Sequence, residues 1–137
     1  FLRDTDTARA VVAESHPEVC YASFADGPVG SKHDDDGLKE RRAVLEATAE
    51  SAAGVYDEFV ETHIEGQPSW ARRIGESNRD DLLDASVLAL TASAGAGEFN
   101  RTSGDPETGG ESVPTDAEGL PMQIVYTDPG SVSSDRS

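Results

Sequence analysis

Asp81 and Asp84 stand three residues apart in the stretch Ser77–Ala92, SNRDDLLDASVLALTA, in which charges enter one end of an otherwise apolar helical pattern. At about 100° per residue the two carboxylates share a face, and that face continues through Val87, Leu88 and Thr91, side chains of a packed interior. Carboxylates aimed at an interior need a cation, a metal or a network of donors. Hard oxygen ligands of this kind suit a divalent ion and the hydrolytic chemistry such an ion supports. The bland alternative is that both are first-turn acids favoured by the helix dipole. Asp80 has a simpler assignment, because Ser77 and Asp80 carry capping-box spacing and Asp80 would then serve the helix start.

The elements that must position these acids can be read along the chain. Ala8–Ala13 is a short apolar run, predicted as a buried strand that delivers Glu14 at its end. Ser15-His16-Pro17-Glu18 then opens a helix, with serine and Glu18 at capping-box spacing and proline in the first turn. This helix carries Val19, Cys20 and Phe24 inward and stops near Asp26-Gly27-Pro28. Val29–Gly37 reads as a loop, with Asp34, Asp35 and Asp36 favouring the start of the next helix. From Leu38 to about Glu65, Leu45, Ala49, Ala52, Val55, Tyr56, Phe59 and Val60 recur at helical spacing, which predicts one long amphipathic helix with a break near Gly54. Gln67–Gly75 is a short helix with Trp70 as its core anchor, and the acidic-pair helix follows to about Ala94. Gly95–Gly119 has the composition of a flexible loop, Met122–Tyr126 reads as a second short strand, and the tail from Thr127 is expected to be disordered.

Composition bounds what these elements can do. The chain has 137 residues, 36% of them hydrophobic, enough for one modest core. Its 27 acidic residues against 11 basic give a net charge of -16, and the only lysines are Lys32 and Lys39. Such a surface is suited to a salt-rich cytoplasm, where carboxylates stay hydrated and their repulsion is screened, so the charge reads as halophilic habitat first. It argues only weakly against a nucleic-acid partner, because counterion release loses force at high salt. The single cysteine, Cys20, excludes an internal disulfide and reads as packing; no CxxC or HExxH pattern points to zinc. With no apolar run long enough to span a membrane and no signal-peptide pattern, the expectation is a cytoplasmic protein without membrane contact.

The segments ESHPEVCYASFADGPVGSK and DDLLDASVLALTA, closed by GLPMQIVY, resemble domain of unknown function 429, a family of predicted nucleases with an RNase H-like fold. The resemblance runs over Val11–Tyr126, with four motifs in the family's order. It implies an α/β fold of RNase H-like type, here a helix-rich C-terminal portion with two short strands, over residues 1–126. It also implies a metal-dependent nuclease that hydrolyses phosphodiesters with Mg²⁺ or Mn²⁺. Glu14, Asp81 and Asp84 match the acids that hold the ions, and Lys32 with Arg41 or Arg42 match basic positions suited to a substrate phosphate, although each basic residue taken singly reads first as a partner of the surrounding acids. Glu18 is the rival of Glu14. The family's first strand, with its Asp-Gly signature, has no counterpart, and the chain begins with Phe1. The expectation is therefore a fragment, a decayed product, or a form completed by a partner chain or a missing N-terminal half, with catalysis by these residues alone in doubt. Two other classes stay open: a non-catalytic module whose acids bind a structural cation, a partner or an arginine such as Arg79, and a small-molecule phosphoesterase or nucleotide-binding protein.

Overall fold

A computed structural model describes residues 13–95, 100–101, 115, 117 and 123–129. Of the strand expected at Ala8–Ala13 only Ala13 is among them, and most of the expected loop and tail lies outside them.

Helix α1, Pro17–Ala25, begins with Pro17 in the first turn and ends at Asp26, whose φ of 55° turns the chain out of the helix. The expected capping box does not form. His16 is the N-cap, without a side-chain cap, because the Ser15 hydroxyl donates instead to the Val125 carbonyl at 2.8 Å. Helix α2, Asp35–Thr48, has a true cap: the Asp34 carboxylate accepts from the Gly37 amide at 2.7 Å.

The long helix expected from Leu38 to Glu65 is two helices. Ala49 is extended (φ -153°) and separates α2 from α3, Glu50–Val60. The Thr48 hydroxyl donates back to the Val44 carbonyl at 2.7 Å, the kind of local bond that competes with the next helical turn. Gly54, where the break was expected, lies inside α3 with open space around it. One π-helical turn, Glu61–Glu65, leads to α4, Ser69–Glu76, and then to α5, Arg79–Gly95.

Leu83 and Val87 of α5 pack with Cys20, Tyr21 and Phe24 of α1 and Leu45 of α2, so α5 is the element on which the core is built. Trp70 departs from expectation: α4 buries no residue, and Trp70 is 65% exposed. The face of α4 that packs belongs to Gly75, whose Cα hydrogen meets the Ile64 side chain closely enough that a Cβ would lie 3.0 Å from it. Val55 and Phe59, also expected inward, are exposed on α3.

Strand content is small. Strand β1, Asn100–Arg101, pairs antiparallel with β2, Val125–Tyr126, and Glu14 makes a single parallel bridge to Ile124. The helix-rich character is as expected, but of the two expected strands only Met122–Tyr126 is seen, in part, as β2; β1 falls within Gly95–Gly119, the stretch expected as a loop, and among the described residues no larger sheet accompanies the pair. Thr127, assigned to the tail, is buried, and its carbonyl accepts from the Ser23 hydroxyl at 2.9 Å. No helix among the described residues is long and apolar enough to cross a membrane.

Candidate functional site

Charged side chains converge where α1, the loop before α2, α2 itself and the first turns of α5 meet. The centre is Arg41, 1% exposed. Its guanidinium donates to both Glu18 oxygens, at 2.7 and 2.9 Å, and to the Gly30 and Gly37 carbonyls, at 2.7 and 3.2 Å. It also stands 5.5 Å from the centre of the Tyr21 ring. A planar fork with five donors meets this demand where a lysine could not. Glu18, with its carboxylate on Arg41, is therefore occupied by a charge pair rather than by the cap its spacing suggested.

The Arg41 bond to Gly30 ties down the loop that carries Lys32. A second tie is the Gly30 amide, which donates to the Glu40 carboxylate at 2.6 Å. The loop presses against α2 so tightly that a Cβ on Gly37 would lie 1.6 Å from the Ser31 carbonyl oxygen, which only glycine permits. So held, Lys32 places Nζ 3.0 Å from Asp84 Oδ2 and 3.9 Å from Asp80 Oδ2. The hydrogen bond to Asp84, and then the negative charge of Asp84, hold the Lys32 ammonium above its ordinary pKa.

Asp84 is the most constrained acid of the set. Its side chain is 17% exposed, one oxygen faces Lys32, and the buried Oδ1 has no hydrogen-bond partner among the described residues. Tyr21, fully buried, donates to the Leu83 carbonyl at 2.8 Å, and burial followed by the negative charge of Asp84 raises its phenol pKa.

The residues singled out from sequence are thus placed unequally. Asp84 and Lys32 are brought together. Asp81 is exposed, acting on Lys32 only through its charge, while Asp80 takes the place beside Asp84. Spacing could have found Asp80, because i and i+4 share a face as well as i and i+3 do. Ser77, its supposed capping partner, donates instead to the Ile74 carbonyl at 2.7 Å. Glu14 is exposed at its strand bridge. Glu14, Asp81 and Asp84 do not form a group that could hold a metal ion, and no group of three or more His, Cys, Asp or Glu does so among the described residues. Arg41 is enclosed in the core, and Arg42 is spent on Asp57 and Glu46.

The arrangement can do two things chemically: neutralise paired carboxylates with an ammonium on a clamped loop, and offer a cation or donor one buried carboxylate oxygen that has no partner among the described residues. Comparison with known proteins adds a family but no activity. No curated protein and no solved structure matches the chain. The family match runs over residues 1–108, so it begins upstream of Val11 and ends before the Gly119–Met122 segment. It takes in α1 to α5 and every side chain of the charged site, and on that extent the chain belongs to the family described as Protein of unknown function (DUF429).

Proposed function

We propose that the chain contributes to a metal-dependent phosphodiester hydrolase of RNase H-like type acting on nucleic acid, with Asp84 as its central ligand. The observation that carries this reading is the buried Oδ1 of Asp84, without a hydrogen-bond partner among the described residues, beside a lysine that already occupies the other oxygen. Leaving a carboxylate oxygen buried without a partner is costly, and such groups gather at sites that take a ligand.

The fit to an ion is partial. The donor chemistry of Asp84, Asp81 and Glu14 suits Mg²⁺ or Mn²⁺, which would supply a Lewis acid and an activated water. The described acids do not close around one point, so a complete ligand set needs oxygens beyond those of Asp84 and its neighbours. The chain's own groups have definable tasks. Lys32 compensates Asp84 and Asp80 in the state described, and is the cation placed to meet a phosphate once those acids are otherwise neutralised. Arg41 is a positioning residue, because it touches the Lys32 loop and no surface a substrate could reach.

Cleavage tests this directly. The natural gene product containing this chain should cut labelled oligonucleotides with Mn²⁺ and lose that activity on Asp84→Asn, which keeps the shape and removes the charge. Retention of Mn²⁺-dependent cleavage in that variant defeats the reading.

The Lys32–Asp84 pair favours a second reading, a non-catalytic module in which the acids serve only to hold the loop lysine. Under it, Asp84→Asn lowers the melting temperature and alters no metal-dependent property.

A further inference from the structure

In so acidic a chain, a guanidinium with no described carboxylate within ion-pair distance is a distinctive feature, and α4 holds two, the nearest acid along the helix being Glu76 at its end. Among the described side chains Lys32, Lys39, Arg41, Arg42 and Arg79 all stand within ion-pair distance of an acid. Arg72 and Arg73, both exposed, have no such partner among the described residues. Beside them Trp70 and Ile74 are 65% and 58% exposed. Trp70, Arg73 and Ile74 stand at i, i+3 and i+4 and so line one flank of the helix. The Trp70 ring has no ring or cation partner among the described residues. At the end of α4, Ser77 and Asn78 both donate to the Ile74 carbonyl, at 2.7 and 2.9 Å, and the chain turns at once into α5 with Asp80 and Asp81 in its first turn.

We propose that the Trp70–Arg73 flank of α4 docks single-stranded nucleic acid, a base stacking on Trp70 and the neighbouring phosphate meeting Arg73. The consequence of docking, delivery of a strand to the acidic turn across the Ser77–Asn78 corner, rests on the hydrolase reading. The chemistry selects this occupant. Two exposed guanidiniums outside ion-pair distance of any described carboxylate call for an anion, and an exposed indole calls for a flat π face; an unpaired strand offers both at neighbouring positions, with stacking contributing about 1–3 kcal/mol per base. A duplex hides its base faces. An acidic peptide supplies charge without a flat ring at each position, and the overall charge of -16 opposes a strand and a second copy alike, so the choice between them rests on the local guanidiniums, which an anionic strand satisfies and a second copy of α4 does not.

Trp70 is the only tryptophan, so its emission reports this flank and nothing else. The experiment titrates a short oligothymidylate into the full chain with chelator present, at a KCl concentration where circular dichroism shows the helices intact. The expected result is saturable quenching, with a duplex of equal length binding several-fold more weakly. Arg73→Gln should weaken binding several-fold and reduce the salt slope by about one, at unchanged helicity. Anisotropy of a labelled oligothymidylate should show binding lost in Trp70→Leu. Unchanged Trp70 emission, equal quenching by duplex or by polyglutamate, an Arg73→Gln variant that binds as tightly as the parent, or a concentration-dependent emission shift without oligonucleotide would each overturn the proposal. Because chelator prevents metal-dependent cleavage, failed docking with cleavage intact removes the docking flank alone, whereas docking with no cleavage in Mn²⁺ removes the hydrolase reading alone.

Discussion

Arg41 shows how much one buried charge demands of its neighbours. Glu18, 43% exposed, is the only carboxylate on it among the described residues, so Glu18→Gln leaves a guanidinium in the core with amide and carbonyl partners but no described counter-charge. The partial exposure places the cost below the about 3–5 kcal/mol of a fully buried pair, at about 2 kcal/mol, measurable by urea unfolding. Tyr21 gives a pH-dependent expectation. Its folded pKa is raised, mainly by burial, above the usual phenol value of about 10. A raised pKa means that its contribution is fully present below about pH 10 and is lost as pH rises through the folded value. Tyr21→Phe should remove about 1 kcal/mol at neutral pH, through the lost bond to the Leu83 carbonyl, and flatten the alkaline fall of the melting temperature. An alkaline limb of unchanged steepness would show that this phenol is not responsible for it. Asp84 and its inward neighbours Val87 and Thr91 were legible, because helical periodicity is a local property. That Lys32 pairs with an acid was legible from composition, but that the acid is Asp84 was not, since a loop 52 residues away leaves no periodic trace. Asp80 was legible in principle and was assigned to a cap that Ser77 does not make.

Helices were easier to find than their ends. Apolar spacing located the material of α1, α2, α3 and α5, but the division at Ala49 turns on a single extended residue and a back-bonded threonine, neither of which alters the hydrophobic pattern. Gly54 looked like the break because glycine weakens helices. The space around it carries a direct prediction: Gly54→Ala should stabilise the protein by about 0.5–1 kcal/mol in thermal or urea unfolding, and a loss of stability would place the break back at that position. Gly37→Ala should do the reverse, displacing the Ser31 carbonyl and with it the loop of Lys32, seen as a lower melting temperature. Trp70 was misread because aromatic content in a short helix normally marks the core; the packing side of α4 is instead the small Gly75 against Ile64.

At the scale of the whole molecule, the charge of -16 is carried by a helical body with one modest core, so self-repulsion sets its response to solvent. Screening shortens the reach of that repulsion from about 30 Å in ten-millimolar salt to about 3 Å in molar salt. Melting temperatures in molar KCl should exceed those in dilute buffer, and an unchanged midpoint would mean that the acids are compensated locally. The RNase H-like expectation rested on motif order over Val11–Tyr126, and all but Ala13 of the strand expected at Ala8–Ala13 lies outside the described residues. The charged corner around Asp84 is the part the proposed hydrolase reading depends on. Its most direct test is Mn²⁺ binding, followed by the paramagnetic signal of the free ion, for the protein and for Asp84→Asn. The account predicts saturable binding that Asp84→Asn abolishes while the helices remain intact. Equal Mn²⁺ binding by the two proteins would contradict it.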